Sequence, residues 1–384
     1  MKIGIPVLDD TLQEIPSRKT LTYYIDPEVE GDAFAMQTLY TNLKLGYRCA
    51  LVISRMDPHS IKNNFRELGW ELETFPNLSI VDAYSGYVGF PSEEKYFVKD
   101  PSDIEQLSET VLKAMEENDL IVFSSLSTII DLCGEKSLSH IEKWSKHAEE
   151  NNSSILYSFI SWPYPENVLE TVKEISNTVI RVGGIHHRVV LGQYYGIFKS
   201  DWTQTNNQAI LFKLLKPGGI RAYIPKILVT GPFNAGKSSF VKSVSNKSVS
   251  VDRLGTTVAL DHGHVDYRGF SIDIFGTPGQ ERFDPLLKVL GEKAMGVILV
   301  VDSTDQNCLL RAKEMLSLTA KFGLPYVIAA NKQDVDGAMS PDKIREKMNL
   351  SVNTPVIPTV ATSREGIYEV LDVLLDLLVG EEDG

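Results

Sequence analysis

The sequence predicts an α/β chain built from two doubly wound, mostly parallel sheets. Three observations predict it. Short apolar runs alternate with helical stretches from Thr20 to Leu215, the pattern of strands joined by crossover helices. A second series opens with the apolar run Ile227-Leu228-Val229 and continues as a Gly-rich loop and a helix, which is how an α/β phosphate site begins. Between the two series, Pro217-Gly218-Gly219 and Pro225 punctuate the chain, as turns do. Domains at 1–222 and 223–384 are expected, and 384 residues suit two or three domains.

Composition narrows the function classes. With 43% hydrophobic and 23% charged residues, the chain resembles an ordinary globular protein with a large core. A net charge of −13 argues against general nucleic-acid binding. Cys49, Cys133 and Cys308 are far apart and odd in number, which suggests neither a disulfide framework nor a zinc site and fits a reducing cytoplasm. The N-terminus lacks a signal-peptide pattern, no apolar run approaches a membrane span, and neither a Met-Gly start nor a C-terminal Cys box is present. A cytoplasmic location without a direct membrane anchor is therefore expected.

In the first series, Gly4–Asp10 opens the chain. Strands are expected at Thr20–Ile25, Arg48–Ser54, Leu78–Asp82, Asp119–Phe123, Ser154–Phe159, Thr178–Val182, Val189–Gly192 and Ala209–Leu215. Helices are expected at Ala33–Gly46, which carries Phe34, Met36, Leu39, Leu43 and Leu45, and at Ile61–Leu68, Ile104–Glu117, Leu138–Asn151 and Val168–Asn177. Gly4–Asp10, Phe34-Ala35-Met36-Gln37, Leu68-Gly69-Trp70, Ile80–Tyr84, Ile121–Ser127 and the closing strands resemble the RecA-like ATPases of the KaiC family. That resemblance implies a RecA-like domain, with two departures. Where the family has its phosphate loop, this chain reads Asp26-Pro27-Glu28-Val29-Glu30-Gly31-Asp32, with Gly31 where the lysine should be and acidic groups that repel phosphate. Ser124 stands where a metal-binding aspartate is expected. Together they imply a pseudo-ATPase domain; an unrelated α/β domain is the alternative.

In the second series, Gly231-x-x-x-x-Gly236-Lys237-Ser238 follows the strand. The glycines let successive N–H groups turn toward one anion. Ser238 and Ser239 open a helix, whose N-terminus favours negative charge. Lys237 reaches the terminal phosphates, and the Ser238 hydroxyl can ligate Mg²⁺. Thr256-Thr257 then offers a threonine that can close over Mg²⁺ and a third phosphate; it can equally be a β-branched pair starting a strand. His262–Asp266 and Phe270–Phe275 flank Tyr267-Arg268-Gly269 as a hairpin. Val297–Asp302 reads as a buried strand, followed by a helix through about Phe322. Tyr326–Ala330 is another buried strand, ending in Asn331-Lys332-Gln333-Asp334. Asn331 and Asp334 can hydrogen-bond guanine edges while the Lys332 stem covers the ring. Asp334 can accept from a ring N–H and amine that adenine lacks, and an unpaired buried acceptor rejects the wrong base. Ser340-Pro341 starts a helix. Val356–Val360 is the last strand, Gly366–Val379 the last helix, and Glu381-Glu382-Asp383 an acidic tail.

These motifs, in this order, resemble the small GTPases of the Ras, Rab and Arf superfamily, particularly its prokaryotic branch. The resemblance implies a P-loop G domain binding GTP or GDP with Mg²⁺. It assigns Gly231, the backbone amides of Asn234, Ala235, Gly236, Lys237, Ser238 and Ser239, and Gly279 to the phosphates. It assigns Ser238 and Thr257 to the metal, Thr277–Phe283 to the second switch, Asn331, Lys332 and Asp334 to the base, and Ala361-Thr362 to the loop whose backbone touches it. Gln280 would orient the attacking water, with Lys237 and Thr257 completing the catalytic set. Three departures stand out. Gly276 replaces the aspartate that steadies Mg²⁺ through water, and Asp273 points to the opposite strand face. Phe233 is bulky where many relatives carry a small residue, and Thr362 replaces a frequent lysine.

The function expected is a guanine-nucleotide switch with slow Mg²⁺-dependent hydrolysis. Its switch loops would meet a protein effector or regulator, and it would be coupled in cis to a RecA-like domain that does not bind ATP. Phe233 and Gly276 motivate an alternative, a non-hydrolysing nucleotide-loaded scaffold. An ATP-driven motor carrying an accessory GTPase is disfavoured by the acidic stretch at 26–32.

Overall fold

The computed structural model describes residues 1–187, 189–205, 208–245, 250–253, 259–267, 270–291, 293–320 and 323–379. Two compact units emerge: Met1–Gly184 with Gly192–Tyr223, and Ile224–Gly384 with Ile185–Leu191.

The first sheet contains β1 (Thr20–Ile25), β2 (Cys49–Ile53), β3 (Leu78–Asp82), β4 (Tyr96–Phe97), β5 (Leu120–Phe123), β6 (Ser154–Ile160), β7 (Thr178–His187), β8 (Val189–Ser200), β9 (Ile210–Leu215) and β10 (Gly219–Ala222). They form one sheet in the order β10-β9-β8-β7-β1-β6-β5-β2-β3-β4. From β7 to β4 every pair is parallel; β8–β9 and β9–β10 are antiparallel. Helices α1 (Leu8–Leu12), α2 (Asp32–Lys44), α3 (Pro58–Glu67), α4 (Ile104–Glu117), α5 (Leu126–Cys133), α6 (Lys136–Glu150) and α7 (Glu166–Glu174) accompany it. Strands β2 and β5 are buried throughout, because a parallel sheet must be covered on both faces. Two apolar clusters do this. One gathers Phe34, Leu39 and Phe65 of α2 and α3; the other gathers Leu107, Val111, Ile141 and Trp144 of α4 and α6.

The second unit contains β11 (Lys226–Thr230), β12 (Ser250–Arg253), β13 (Ala259–Tyr267), β14 (Phe270–Gly276), β15 (Gly296–Asp302), β16 (Tyr326–Asn331) and β17 (Val356–Pro358). Their order is β12-β13-β14-β11-β15-β16-β17. From β14 to β17 the pairs are parallel, while β12–β13 and β13–β14 are antiparallel. The helices are α8 (Lys237–Val244), α9 (Asp284–Gly291), α10 (Cys308–Ala320), α11 (Pro341–Lys347) and α12 (Ile367–Val379). Alternate residues of each central strand feed opposite cores. Ile227, Val229, Ile298 and Val300 pack with Phe240, Val241, Leu371 and Leu374 of α8 and α12. Leu228, Val297 and Leu299 pack with Leu309, Ala312, Met315 and Ile344 of α10 and α11.

The α/β class and the parallel centres of both sheets match expectation. Several elements differ. Helix α5 follows its strand with only two residues between, so its apolar positions merge with the strand's run; Ser125 Oγ caps it, accepting from Thr128 N at 3.3 Å. Strand β8 continues to Ser200, well past the expected Gly192. Gln193 and Gly196 interrupt its apolar pattern, but its middle is held in register by Phe212, Leu211 and Ile210 of β9. The hairpin expected around the turn Pro217-Gly218-Gly219 is formed by β9 and β10; the short elements α1, β4 and α9 carry no distinct pattern in the sequence.

Phe34 is fully buried, with ring centroids of Tyr23, Tyr195 and Phe212 at 5.3, 5.4 and 5.0 Å. Truncating it to alanine is expected to cost about 3–5 kcal/mol, read as a lower urea midpoint for the first unfolding transition of the full chain.

Candidate nucleotide-binding site

Strand β11 lies between β14 and β15, so the loop leaving its C-terminal end sits where an open α/β sheet binds ligands. Gly231 has φ 147°, and a Cβ there would lie 2.0 Å from the Val300 carbonyl oxygen. Gly236 has φ 98°, and a Cβ would lie 2.2 Å from Asn331 Nδ2. Both glycines are therefore required by backbone conformation and by space. Gly236 N-caps α8, and Phe240 N donates to Gly236 O at 2.9 Å in the first turn.

Lys237 is only 8% exposed. Its ammonium donates to Pro232 O at 2.6 Å. Burial lowers its pKa to about 8, against an opposing pull from Asp261. A buried cation at the mouth of an N–H-lined loop is suited to a polyanion that restores its charge.

The Ser238 hydroxyl donates to the Asp261 carboxylate. Asp261, on β13, lies directly across from Gly276 on β14. A Cβ at Gly276 would be 3.0 Å from Asp261 Cβ and 3.3 Å from both Asp261 Oδ2 and Val241 Cγ2. Asp273 belongs to the other face, as expected, and pairs with His264 Nδ1 at 2.9 Å. Sequence reading passed over Asp261, although hairpin register could have found it. The donors gathered here, a hydroxyl and a carboxylate, are hard oxygens of the kind Mg²⁺ takes alongside phosphate oxygens and water. Among the described residues, no cluster of three or more His, Cys, Asp or Glu could hold a metal.

Asn331 is buried at the end of β16. Its Nδ2 donates to Ala235 O at 2.9 Å, and its Oδ1 accepts from Ala361 N at 3.0 Å. One amide thus joins the phosphate loop to the loop after β17. The Ala361 N–H expected to face a base is engaged by Asn331, so a base carbonyl there would share or replace that bond. Lys332 pairs with Asp302 at 2.5 Å. Burial works to raise the Asp302 carboxyl, but bonds from Lys332 and Thr304 outweigh it and hold it below the ordinary aspartate range. Asp334 and Thr362 are exposed. Gln333, given no role from sequence, donates to Ser303 Oγ at 2.7 Å and Met339 O at 3.0 Å, anchoring the Asn331–Asp334 turn.

Gly279 presses on the phosphate loop: a Cβ would sit 2.5 Å from Phe233 N and 2.6 Å from Gly231 O. Thr277 N donates to Val229 O, and its hydroxyl donates to Thr230 Oγ1, both at 2.9 Å. Gln280 is exposed, and Phe233 is 71% exposed beside it in an open groove that Arg282 and Arg311 also line. Ser239 is half-buried on the first turn of α8, and Ser238 beside it is exposed. Thr256 and Thr257 lie outside the described residues.

In the first unit, two acids of the loop after β1 meet arginines from elsewhere in the unit. Asp32, opening α2, forms an ion pair with Arg55, and Asp26 lies 3.5 Å from Arg181. Ser124 N is engaged by Val52 O at 2.9 Å.

The KaiC ATPase family pattern matches residues 1–227, more than half of the sequence. The chain belongs to the KaiC family. The ADP-ribosylation factor (Arf) family pattern matches residues 215–378; this part resembles the Arf-type small GTPases, which in general bind guanine nucleotide with Mg²⁺. It is 28% identical over 159 residues to ADP-ribosylation factor-like protein 2 of Arabidopsis thaliana, covering 39% of this chain and 85% of that protein. It is 35% identical over 124 residues to ADP-ribosylation factor-related protein 1 of Rattus norvegicus, covering 30% of this chain and 62% of that protein. A KaiC-like protein from Pyrococcus horikoshii has a solved structure similar to this one, with TM-score 0.48 and 19% identity, covering 58% of this KaiC-family chain and 97% of that one. Among the described residues, no helix is long and apolar enough to cross a membrane.

The Lys237 shift yields a signed prediction. Between its folded value of about 8 and an unfolded value of about 10.4, the unfolded chain holds more protons. Protein kept free of nucleotide should gain stability as pH rises through that window, and the gain is lost as pH falls through about 8. A bound polyphosphate raises the lysine's pKa, so binding should take up a proton at about pH 9 and far less at about pH 7. Calorimetry in buffers of different ionisation heat measures this.

Proposed function

We propose that the protein is a guanine-nucleotide-binding switch with slow GTP hydrolysis, its G domain (223–384) coupled in cis to a RecA-like domain (1–222) that does not bind ATP. The observation that carries this reading is the pair of bonds made by Asn331. A buried amide that ties Ala235 to Ala361 holds a phosphate-binding loop and a base-side loop at a fixed separation, as recognition of a whole nucleotide requires. The family likeness of residues 215–378 supports it.

In this reading Asp334 accepts from the guanine N1–H and amine, and the Lys332 stem covers the ring while its ammonium stays on Asp302. The amides of 234–239 and the Lys237 ammonium hold the phosphates. Mg²⁺, when bound, neutralises charge developing on the phosphate oxygens. Gln280 positions the attacking water once the 276–283 loop closes, since it is exposed at present. Thr257 completes the metal side. The stretch 26–32 carries four acids and no Lys or Arg to receive phosphate, and Asp26 and Asp32 draw on Arg181 and Arg55, which supports the non-ATP-binding assignment. The loops at 252–262 and 276–288 are the surfaces a protein effector would read.

A second reading, a nucleotide-loaded scaffold without turnover, draws on the exposure of Phe233 and Gln280 at the place where catalysis would be assembled. Single-turnover GTP hydrolysis by the full chain separates the two. The expected result is slow GDP formation that falls at least tenfold, roughly, in Gln280→Leu. Tight nucleotide binding with turnover equal to buffer would favour the scaffold.

Base recognition has its own test. Asp334→Asn should weaken GDP binding roughly 10–100-fold and strengthen xanthosine diphosphate binding, because an amide donor then meets the xanthine 2-carbonyl. Equilibrium competition against a fluorescent GDP analogue measures both.

A further inference from the structure

The missing aspartate at position 276 has a replacement in space. Gly276 and Asp261 are partners across the β13–β14 ladder. The two positions adjoin: a Cβ at 276 would press on Asp261 Cβ at 3.0 Å and on Asp261 Oδ2 at 3.3 Å. A side chain at 276 would displace the observed Asp261 carboxylate by a few tenths of an ångström, and a carboxylate on either residue reaches the same side of the sheet. The carboxylate lies on the α8 face of the sheet. On that face a Cβ at Gly263, two residues along β13, would meet Ser245 Oγ and Val241 Cγ1 of the α8 region. Asp273 sits on the opposite face and is taken by His264.

The hydrogen bond from Ser238 gives the carboxylate a chemical role. A serine hydroxyl that offers a lone pair to a cation must donate its proton elsewhere. Here it already donates to Asp261. Asp261 also acts electrostatically on Lys237, so its negative charge is felt inside the phosphate loop.

We propose that Asp261 is the outer carboxylate of the Mg²⁺ site, relocated from β14 to β13. Its Oδ2 accepts the hydrogen bond of the Ser238 hydroxyl, which would turn that oxygen's lone pairs toward the cation, and its Oδ1 would be left to accept from a water on the cation. It is a positioning residue for the cation. This inference rests on the guanine-nucleotide reading and would make Gly276 part of the metal site's design.

The test uses the full chain loaded with a fluorescent GDP analogue, whose release rate is followed against free Mg²⁺. For the wild type, Mg²⁺ should slow release with a defined midpoint. In Asp261→Asn, which keeps an acceptor for Ser238 but removes the charge, the midpoint should rise roughly 10–100-fold. Release in EDTA should stay within about twofold, as a purely structural defect would not allow. The exchange variant Asp261→Gly with Gly276→Asp returns a carboxylate to the same side of the sheet and should recover most of the wild-type midpoint. An unshifted midpoint in Asp261→Asn overturns the proposal, as does an exchange variant no better than Asp261→Gly alone. Wild-type release that ignores Mg²⁺ also overturns it while leaving nucleotide binding intact. Failure of the wild type to bind the GDP analogue overturns the guanine reading itself.

Discussion

One buried amide sets the geometry of the second unit's site. Asn331 reaches from the end of β16 to Ala235 on one side and Ala361 on the other. Gly236 lacks a side chain because that amide occupies the space where its Cβ would be. Loops cannot hold such an arrangement alone; their mobility has to be removed by a contact that costs dearly to break. A buried amide bonded at both ends is such a contact, since removing either partner strands a polar group away from water. The turn that follows is held in the same way, by Gln333 on Ser303 and Met339 and by Lys332 on Asp302.

Around that anchor the parts are graded by burial. Lys237 and Asn331 are enclosed, while Asp334, Gln280 and Phe233 face water. The enclosed groups are those whose position must not change. The exposed ones are those that a base, a water molecule or another protein would have to reach. Gly279 lies between the two sets, in such close contact with the phosphate loop that only a glycine fits. Displacement of either loop must therefore be felt by the other.

Much of this was legible in the sequence, for physical reasons that differ between elements. Central strands such as Val297–Asp302 announce themselves because burial on both faces demands an unbroken apolar run. Gly231 and Gly236 are legible because a tight loop between strand and helix, with positive φ and no room for a Cβ, dictates glycine at both. Helix α5 was not, since its apolar face continues the pattern of the strand before it. Nor was the bond from Asn331 to Ala361, which joins residues thirty positions apart. Asp261 is the instructive case. The hairpin at Tyr267 was recognised, and a ladder in which Tyr267 faces Phe270 puts Asp261 opposite Gly276 by counting alone. The motifs run along the chain, whereas this carboxylate adjoins the site only across the ladder.

The first unit carries a different kind of lesson. At Gly31, where a phosphate loop would have its lysine, a Cβ would come within 2.4 Å of Ile25 Cγ2, and the neighbouring Asp32 is already matched by Arg55. A lysine at that one position would find its space filled by the core and an arginine committed next door. Placing an ammonium there would need the Ile25 packing and the Arg55 pairing to change with it, so the residue at 31 is coupled to both the core beneath the loop and the strand end beside it.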